Sequence, residues 1–333
     1  MNCPIDLIDT LKGQESFLIT THVMPDGDGI GSMLALAFSL RKLGKQVSCV
    51  LSEETVMPPN LRFLRGTSEV LKSSDVNEDV RFDVAVILDA GDMRRTGTVA
   101  RQIENNCKMI VNVDHHITND IQGDHNWIRA DVSSTGEMMF DIISALGVEI
   151  DASAAECLYT AISTDTGSFS YSNTTSTTLD IAAELVRCGA SPSRVYQEVY
   201  ERKSYRSLKS LAECILGMRF ECGGLVSVIT VTYDNMVRNG VTENDIEGFI
   251  SYARSIDGVE VAISLRELAD GRIRVSLRSK KKVDVAQLAL KLGGGGHVNA
   301  SGCTLDCPLD EAYQLVADLA KKAVFEAGMT WTE

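Results

Sequence analysis

The chain has 333 residues, 44% hydrophobic and 23% charged, close to the soluble globular average, which excludes a disordered or fibrous protein. At roughly 150 residues per domain the length predicts about two domains. Lysine plus arginine (32) against aspartate plus glutamate (46) leaves a net charge of −14, which argues against coating long duplexes but not against a small phosphorylated substrate whose charge is met by cations.

In chain order, Ser16–Thr21 reads as an apolar strand ending at His22. The turn-rich 25–29 follows, then a helix over Ile30–Leu43 that Gly44 stops. Further strands read at Gln46–Leu51, Phe82–Leu88 and Lys108–Val113. Short β-branched runs alternating with helical segments predict a parallel sheet with helices on both faces. Ser134 and Glu137 form a capping-box pattern opening a helix to Leu146. A second helix covers Ser153–Ser163, and residues 177–218 read as polar helices broken at Pro192. From Gly224 the texture changes. Leu225–Thr232, Val259–Leu268 and Arg272–Ser279 look like strands, and Thr242–Ile256, Val283–Leu292 and Leu309–Ala327 like helices. The expected class is therefore α/β, with a parallel-sheet domain at 1–188, a helical linker at 189–221 and a smaller α/β domain at 222–333.

No run approaches the roughly 20 apolar residues of a membrane helix. The first dozen residues, with Asp6 and Asp9, do not read as a signal peptide, so a cytoplasmic location is expected. Nine scattered cysteines without a Cys-x-x-Cys are expected to stay reduced.

Four of the five histidines fall at a strand's C-terminal end or in a glycine-rich loop, where open parallel sheets bind ligands. The first strand ends in His22-x-x-x-Asp26-x-Asp28, the third in Asp89, the fourth in Asp114-His115-His116. Asp165 follows a helix in a glycine-containing loop. Each cluster alone reads as a solvated turn or a helix cap; four at one sheet edge point to chemistry. Nitrogen and carboxylate donors without thiolate suit Mn²⁺, Fe²⁺ or Zn²⁺, and two such ions suit phosphoester hydrolysis. Asp26 and Asp28, alternating in an extended turn, could face two neighbouring ions with Asp89 bridging. In the second domain, residues 272–282 hold six basic residues and no acid, with Arg272, Arg274 and Arg278 on one strand face. A solvated edge strand is the competing reading. The 293–296 glycine run ahead of His297 can present N–H groups to a phosphate, or be a hinge.

These motifs are His22-Val-Met-Pro-Asp26-Gly-Asp28-Gly-Ile-Gly-Ser32, Asp89 with Arg95-Thr-Gly97, Asp114-His115-His116, Asp165-Thr-Gly-Ser-Phe169, Arg278-Ser279 and Gly293-Gly-Gly-Gly-His297. Over about residues 15–325 the chain resembles the DHH phosphoesterase family with its C-terminal DHH-associated domain, and within it the oligoribonucleases that also act on 3′-phosphoadenosine 5′-phosphate. One departure is Gly29, where the family often has alanine; it is expected to loosen the loop slightly. The resemblance implies two divalent ions, manganese foremost, one held by His22, Asp26 and Asp89, the other by Asp28, Asp89, His115 and Asp165. It implies His116 as donor to the scissile phosphate, Asp114 orienting the histidines, and water as the nucleophile. Arg95, Arg278, Ser279, Gly295, Gly296 and His297 would bind substrate. The implied activity degrades short RNA to mononucleotides and hydrolyses 3′-phosphoadenosine 5′-phosphate to AMP. A cyclic di-AMP or linear dinucleotide phosphodiesterase is the alternative. Expected partners are short oligonucleotides or small nucleotides, with no membrane or long duplex; monomer and homodimer both stay open.

Overall fold

The computed structural model describes residues 3–331, and of His297 the backbone alone. By contact density it divides between Arg202 and Lys203, inside the segment expected as a linker.

The first unit contains α1 (Ile5–Gly13), β1 (Ser16–Thr20), α2 (Gly27–Lys42), β2 (Gln46–Leu51), β3 (Leu71–Lys72), β4 (Phe82–Leu88), α3 (Val99–Asn106), β5 (Cys107–Asp114), β6 (His125–Ile128), α4 (Thr135–Leu146), α5 (Ala152–Asp165), α6 (Ser176–Arg187) and α7 (Pro192–Tyr200). Its six strands form one parallel sheet in the order β3-β2-β1-β4-β5-β6. Strands buried on both faces read as continuous apolar runs, which is why β1 is apolar between Ser16 and Thr20 and β4 is apolar beyond Asp83. One face buries Phe17, Ile19, Val84, Val86 and Val111 against Ile30, Met33, Met139, Ile142 and Leu158 of α2, α4 and α5. The other packs Leu18, Val50, Ala85 and Ile87 on Val99 and Ile103 of α3 and on Ile121.

Two helix boundaries differ from expectation, both at the site. Helix α2 begins at Gly27 rather than Ile30, because the Asp26 carboxylate accepts from the N–H groups of Asp28 (2.9 Å) and Gly29 (3.1 Å) as its N-cap. Asp28 thus sits in a helical first turn, not an extended one. Helix α5 runs through Asp165, which ends the helix instead of following it. Helices α2 and α5 approach closely at Gly31, where a Cβ would lie 2.3 Å from the Cys157 carbonyl oxygen. The capping box of α4 is half made: Ser134 accepts from Glu137 N–H, while the Glu137 carboxylate turns to Ser133.

The second unit contains α8 (Tyr205–Leu216), β7 (Arg219–Glu221), β8 (Val226–Val231), α9 (Tyr233–Asn239), α10 (Phe249–Ser255), β9 (Val261–Glu267), β10 (Ile273–Ser279), α11 (Val285–Lys291), β11 (Gly295–His297), β12 (Ala300–Leu305) and α12 (Leu309–Glu326). Its sheet runs β11-β12-β10-β9-β8-β7, antiparallel except for β8 beside β9. One face buries Val228, Ile263, Val275 and Leu277 under α11 and α12. On the other, α8, α9 and α10 cover Ile229, Val231 and Ala262. The segment read as one helix over 242–256 breaks at Gly248 (φ +81°), leaving a short 3₁₀ turn and α10. The 293–296 run is not wholly a loop: Gly295 and Gly296 pair with Gly302 and Ser301 at the sheet edge. Glycine is depleted in strands, so this pairing left no sequence signal.

Candidate metal centre and binding face

The strand order of the first sheet reverses between β1 and β4, and open sheets bind ligands beyond the carboxyl ends at such a switch point. His22 follows β1, Asp89 follows β4, and Asp114, His115 and His116 come at and after the end of β5. Asp26 and Asp28 enter from the start of α2, and Asp165 from the end of α5.

Three overlapping donor groups form there: His22, Asp26 and Asp89; Asp28, His115 and Asp165; and Asp89, His115 and His116. Within each, one donor atom per residue lies within 4.8 Å of the others. His22 Nε2 is 4.0 Å from Asp26 and 3.8 Å from Asp89. His115 Nε2 is 3.7 Å from Asp28, 3.5 Å from Asp89 and 3.4 Å from Asp165. These separations exceed ordinary hydrogen bonds. They fit the edges of a coordination shell, since bonds of about 2.1 Å set neighbouring ligands roughly 3–4 Å apart. The residues present therefore suit divalent cations bound through nitrogen and oxygen.

The chain fixes these donors before any ion arrives. Asp28, fully buried, accepts from the N–H groups of Thr135 (2.7 Å) and Gly136 (2.8 Å) at the start of α4 and from Ser32 Oγ (3.2 Å). Asp89 adopts φ +56°, a left-handed conformation that aspartate tolerates better than most residues, and accepts from the Thr135 hydroxyl at 3.3 Å. His22 donates from Nδ1 to the Val23 carbonyl (2.7 Å), which turns Nε2 toward Asp26 and Asp89. Asp114 is fully buried and accepts from Gly91 N–H (2.7 Å), Asn119 Nδ2 (2.6 Å) and His116 Nδ1 (2.7 Å). Thr135, Gly136 and Asn119 escaped the sequence reading, and Ser32 stood in the first motif without an assigned role. The Ser134 cap did mark where two of these N–H groups would be; nothing marked Asn119.

The electrostatics show a site short of positive charge. Burial, with Asp89 and Asp165 nearby, pushes Asp28 well above the usual carboxylate range. Burial also raises Asp165 to about 7, with His115 opposing and Asp26 and Asp89 reinforcing. Burial would lower His115, but Asp165, Asp89 and Asp28 outweigh it and raise it well above an ordinary histidine. His116 rises for the same reason, burial being overcome chiefly by its bond to Asp114.

The expected substrate residues fall in two places. Arg95 is exposed at the rim of the metal centre: its main-chain oxygen accepts from Val23 N–H, and its guanidinium borders Gly91, as His116 does. Arg278, half-buried, Ser279, Gly295 and Gly296 lie in the second unit. Ser279 is buried and donates from Oγ to Asn299 Oδ1 at 3.1 Å. The His297 side chain lies outside the described residues. His125, the fifth histidine, stands apart and bonds Thr10 (2.9 Å) and Asp6 (3.1 Å). All nine cysteines are free thiols, and among the described residues no helix is long and apolar enough to cross a membrane.

Residues 16–162 match the DHH family N-terminal domain and residues 225–324 the DHHA1 domain. A bifunctional oligoribonuclease and PAP phosphatase NrnA from Thermus thermophilus is 34% identical over 326 residues, 96% of this chain and 94% of that protein. The Bacillus subtilis protein of the same name is 30% identical over 94% and 96%. Among solved structures, an exopolyphosphatase-related protein from Bacteroides fragilis superposes with a TM-score of 0.90 at 26% identity, covering 97% of each chain. RecJ of Thermus thermophilus in complex with Mn²⁺ shares the fold at a TM-score of 0.52 and 13% identity, over 95% of this chain and 54% of that one.

Proposed function

The chain belongs to the DHH family, and we propose that it is a hydrolase that degrades short oligoribonucleotides to mononucleotides and converts 3′-phosphoadenosine 5′-phosphate to AMP with two divalent cations, manganese foremost. The observation that carries this reading is the pair of donor groups joined through Asp89, which lies 3.8 Å from His22 and 3.5 Å from His115. Full-length relatives named for both activities support the substrate class. The first unit is taken as catalytic and the second as substrate-binding.

His22, Asp26 and Asp89 would hold one ion, and Asp28, Asp89, His115 and Asp165 the other. Such ions, when bound, polarise the phosphoryl group and bring the pKa of water near neutrality. The protein's own part is positioning. Thr135 and Gly136 N–H fix Asp28 with its Oδ2 3.7 Å from His115 Nε2. Asp114 accepts from the Nδ1–H of His116, so a phosphate contact of His116 would run through Nε2–H, and that bond, against burial, raises His116 above the ordinary histidine value and so favours the charged donor. Arg95 adds a second cation at the rim, while Arg278, Ser279, Gly295, Gly296 and His297 would grip a terminal phosphate. No side chain needs to attack phosphorus.

The test is turnover of dinucleotide RNA, five-nucleotide RNA, 3′-phosphoadenosine 5′-phosphate and cyclic di-AMP, each with Mn²⁺. The expected result is release of mononucleotides from both RNAs and AMP from the bisphosphate, with cyclic di-AMP slow. Turnover confined to cyclic di-AMP would overturn the reading.

A further inference from the structure

The second unit carries a basic feature that the terminal-phosphate grip does not use. Along β10, Ile273, Val275, Leu277 and Ser279 are buried, whereas Arg274, Ser276 and Arg278 are half-exposed on the opposite face. Arg274 stands in register with Arg266 of β9. Like charges directly opposite on neighbouring strands destabilise a sheet, so this pair costs the fold something. Glu243 meets Arg266 at 3.0 Å and leaves its buried Nε without a hydrogen-bond partner, so a ligand would meet the outer guanidinium nitrogens of a side chain that is 19% exposed. Arg274 reaches Thr304 Oγ1 across β12 at 3.3 Å, which adds a hydroxyl beside the pair.

Arg278 is four residues further along the strand, about 13 Å at roughly 3.4 Å per residue. That is longer than one phosphodiester step. The row between the two is uniformly small: Ser264, Ser276, Gly302 and Gly295 register across β9, β10, β12 and β11. Beyond the part of this face that α8, α9 and α10 cover, a ribose or base can lie over Ser276, Gly302 and Gly295 while phosphates are gripped at each end.

We propose that Arg266 and Arg274, with Thr304, form a second phosphate subsite that engages only substrates longer than a dinucleotide. The inference rests on the reading of the chain as acting on short RNA, and adds to it a residue pair that sets length preference. A guanidinium–phosphate bond strengthens binding about ten-fold or more, and each phosphate contact on a single strand contributes about 0.7 to the salt slope.

The experiment compares wild type, Arg274→Ala and Arg274→Lys on dinucleotide RNA, five-nucleotide RNA and 3′-phosphoadenosine 5′-phosphate across a salt series. For Arg274→Ala, the Michaelis constant for the five-nucleotide RNA should rise about ten-fold at unchanged turnover number. The logarithmic salt slope of kcat/KM should fall by about 0.7, and the two smaller substrates should be cleaved as before. Arg274→Lys should keep the slope. Thermal stability of Arg274→Ala should hold or rise, since cross-strand repulsion is relieved. Equal losses on all three substrates, or none on the long one, would overturn the subsite. Wild type that cleaves no RNA would instead overturn the functional reading beneath it.

Discussion

The two units handle charge in opposite ways. In the first, carboxylates and histidines are gathered in a largely buried cluster and held by named partners: Asp28 accepts from two main-chain N–H groups, Asp114 from four donors, and His22 donates to a carbonyl. In the second, Arg274 and Arg278 are half-exposed on a strand face, placed by two-residue alternation. A buried cluster of like charge needs a scaffold and a counter-charge to persist. An exposed basic face needs only a strand. The first region should therefore answer to single-atom changes in geometry, and the second to charge alone.

The sharpest way to break that contrast is Asp89→Ala. Asp89 stands in two of the three donor groups with nitrogen ligands on either side, so its loss should remove both ions and nearly all turnover while the fold survives. Metal analysis of the purified variant checks this, and two ions still bound per chain would end the bridging assignment. His116→Ala should act differently. Its ring is tied to Asp114, so metal content should stay near normal while the rate falls on the order of 100-fold or more for a lost transition-state donor. A variant that lost metal would make His116 a ligand, as its place in the third donor group allows.

How much of this was legible follows the same division. Continuous apolar runs gave β1, β2, β4 and β5 nearly to the residue, because strands buried on both faces leave that pattern. Apart from Asp165 at the end of α5, the acids and histidines of the metal centre were visible as clusters because they follow those strands. The partners that hold them were not. Thr135 and Gly136 hold Asp28 through main-chain N–H groups, which leave no side-chain signal, and Asn119 reaches Asp114 through a loop without periodicity. In the second unit alternation gave the face of Arg274 and Arg278, but the like-charge register with Arg266 depends on strand pairing, which one sequence does not display.

A smaller effect concerns protons. Asp28 is raised well above 3.8 and Asp165 from 3.8 to about 7, by burial and neighbouring carboxylates. The folded, metal-free chain therefore holds protons that the unfolded chain has already released, and its stability falls as pH rises through that interval. His22, His115 and His116, raised above 6.5, push the same way above that value. Asp26, exposed but facing His22 and bonded to Gly29 N–H, and Asp114, buried but bonded to His116, are both held below 3.8; their contribution is lost only in acid. In EDTA the melting temperature should drop between pH 6 and 8 by about 3 °C or more, roughly 1 kcal/mol in a domain of this size. Saturating Mn²⁺ should cancel the drop, because binding displaces the same protons. A melting temperature in EDTA that climbs over this interval would contradict the charge account.

The smallest expected effect sets one methyl group in each region. Gly29 lies in the first turn of α2, and a Cβ there would come within 2.4 Å of Thr21 Oγ1, a buried hydroxyl with no hydrogen-bond partner. The glycine expected to loosen a loop sits instead in a helix, where it makes room for Thr21. Alanine would gain about 0.5–1 kcal/mol in helix propensity but overpack the site at about 1–3 kcal/mol, a net loss on the order of 1 kcal/mol. Thr21→Ala removes the obstructing hydroxyl, so the double variant should recover that loss and keep part of the helix gain. At Gly295 an added Cβ meets nothing within 4 Å. Gly295→Ala should leave stability within about 0.5 kcal/mol of wild type, any cost appearing in substrate binding instead. Chemical denaturation of the four variants reads all of this as one double-mutant cycle and one control. If Gly29→Ala and Thr21→Ala add without coupling, the metal centre is looser than its hydrogen bonds imply, and the contrast between the two regions fails at its tightest point.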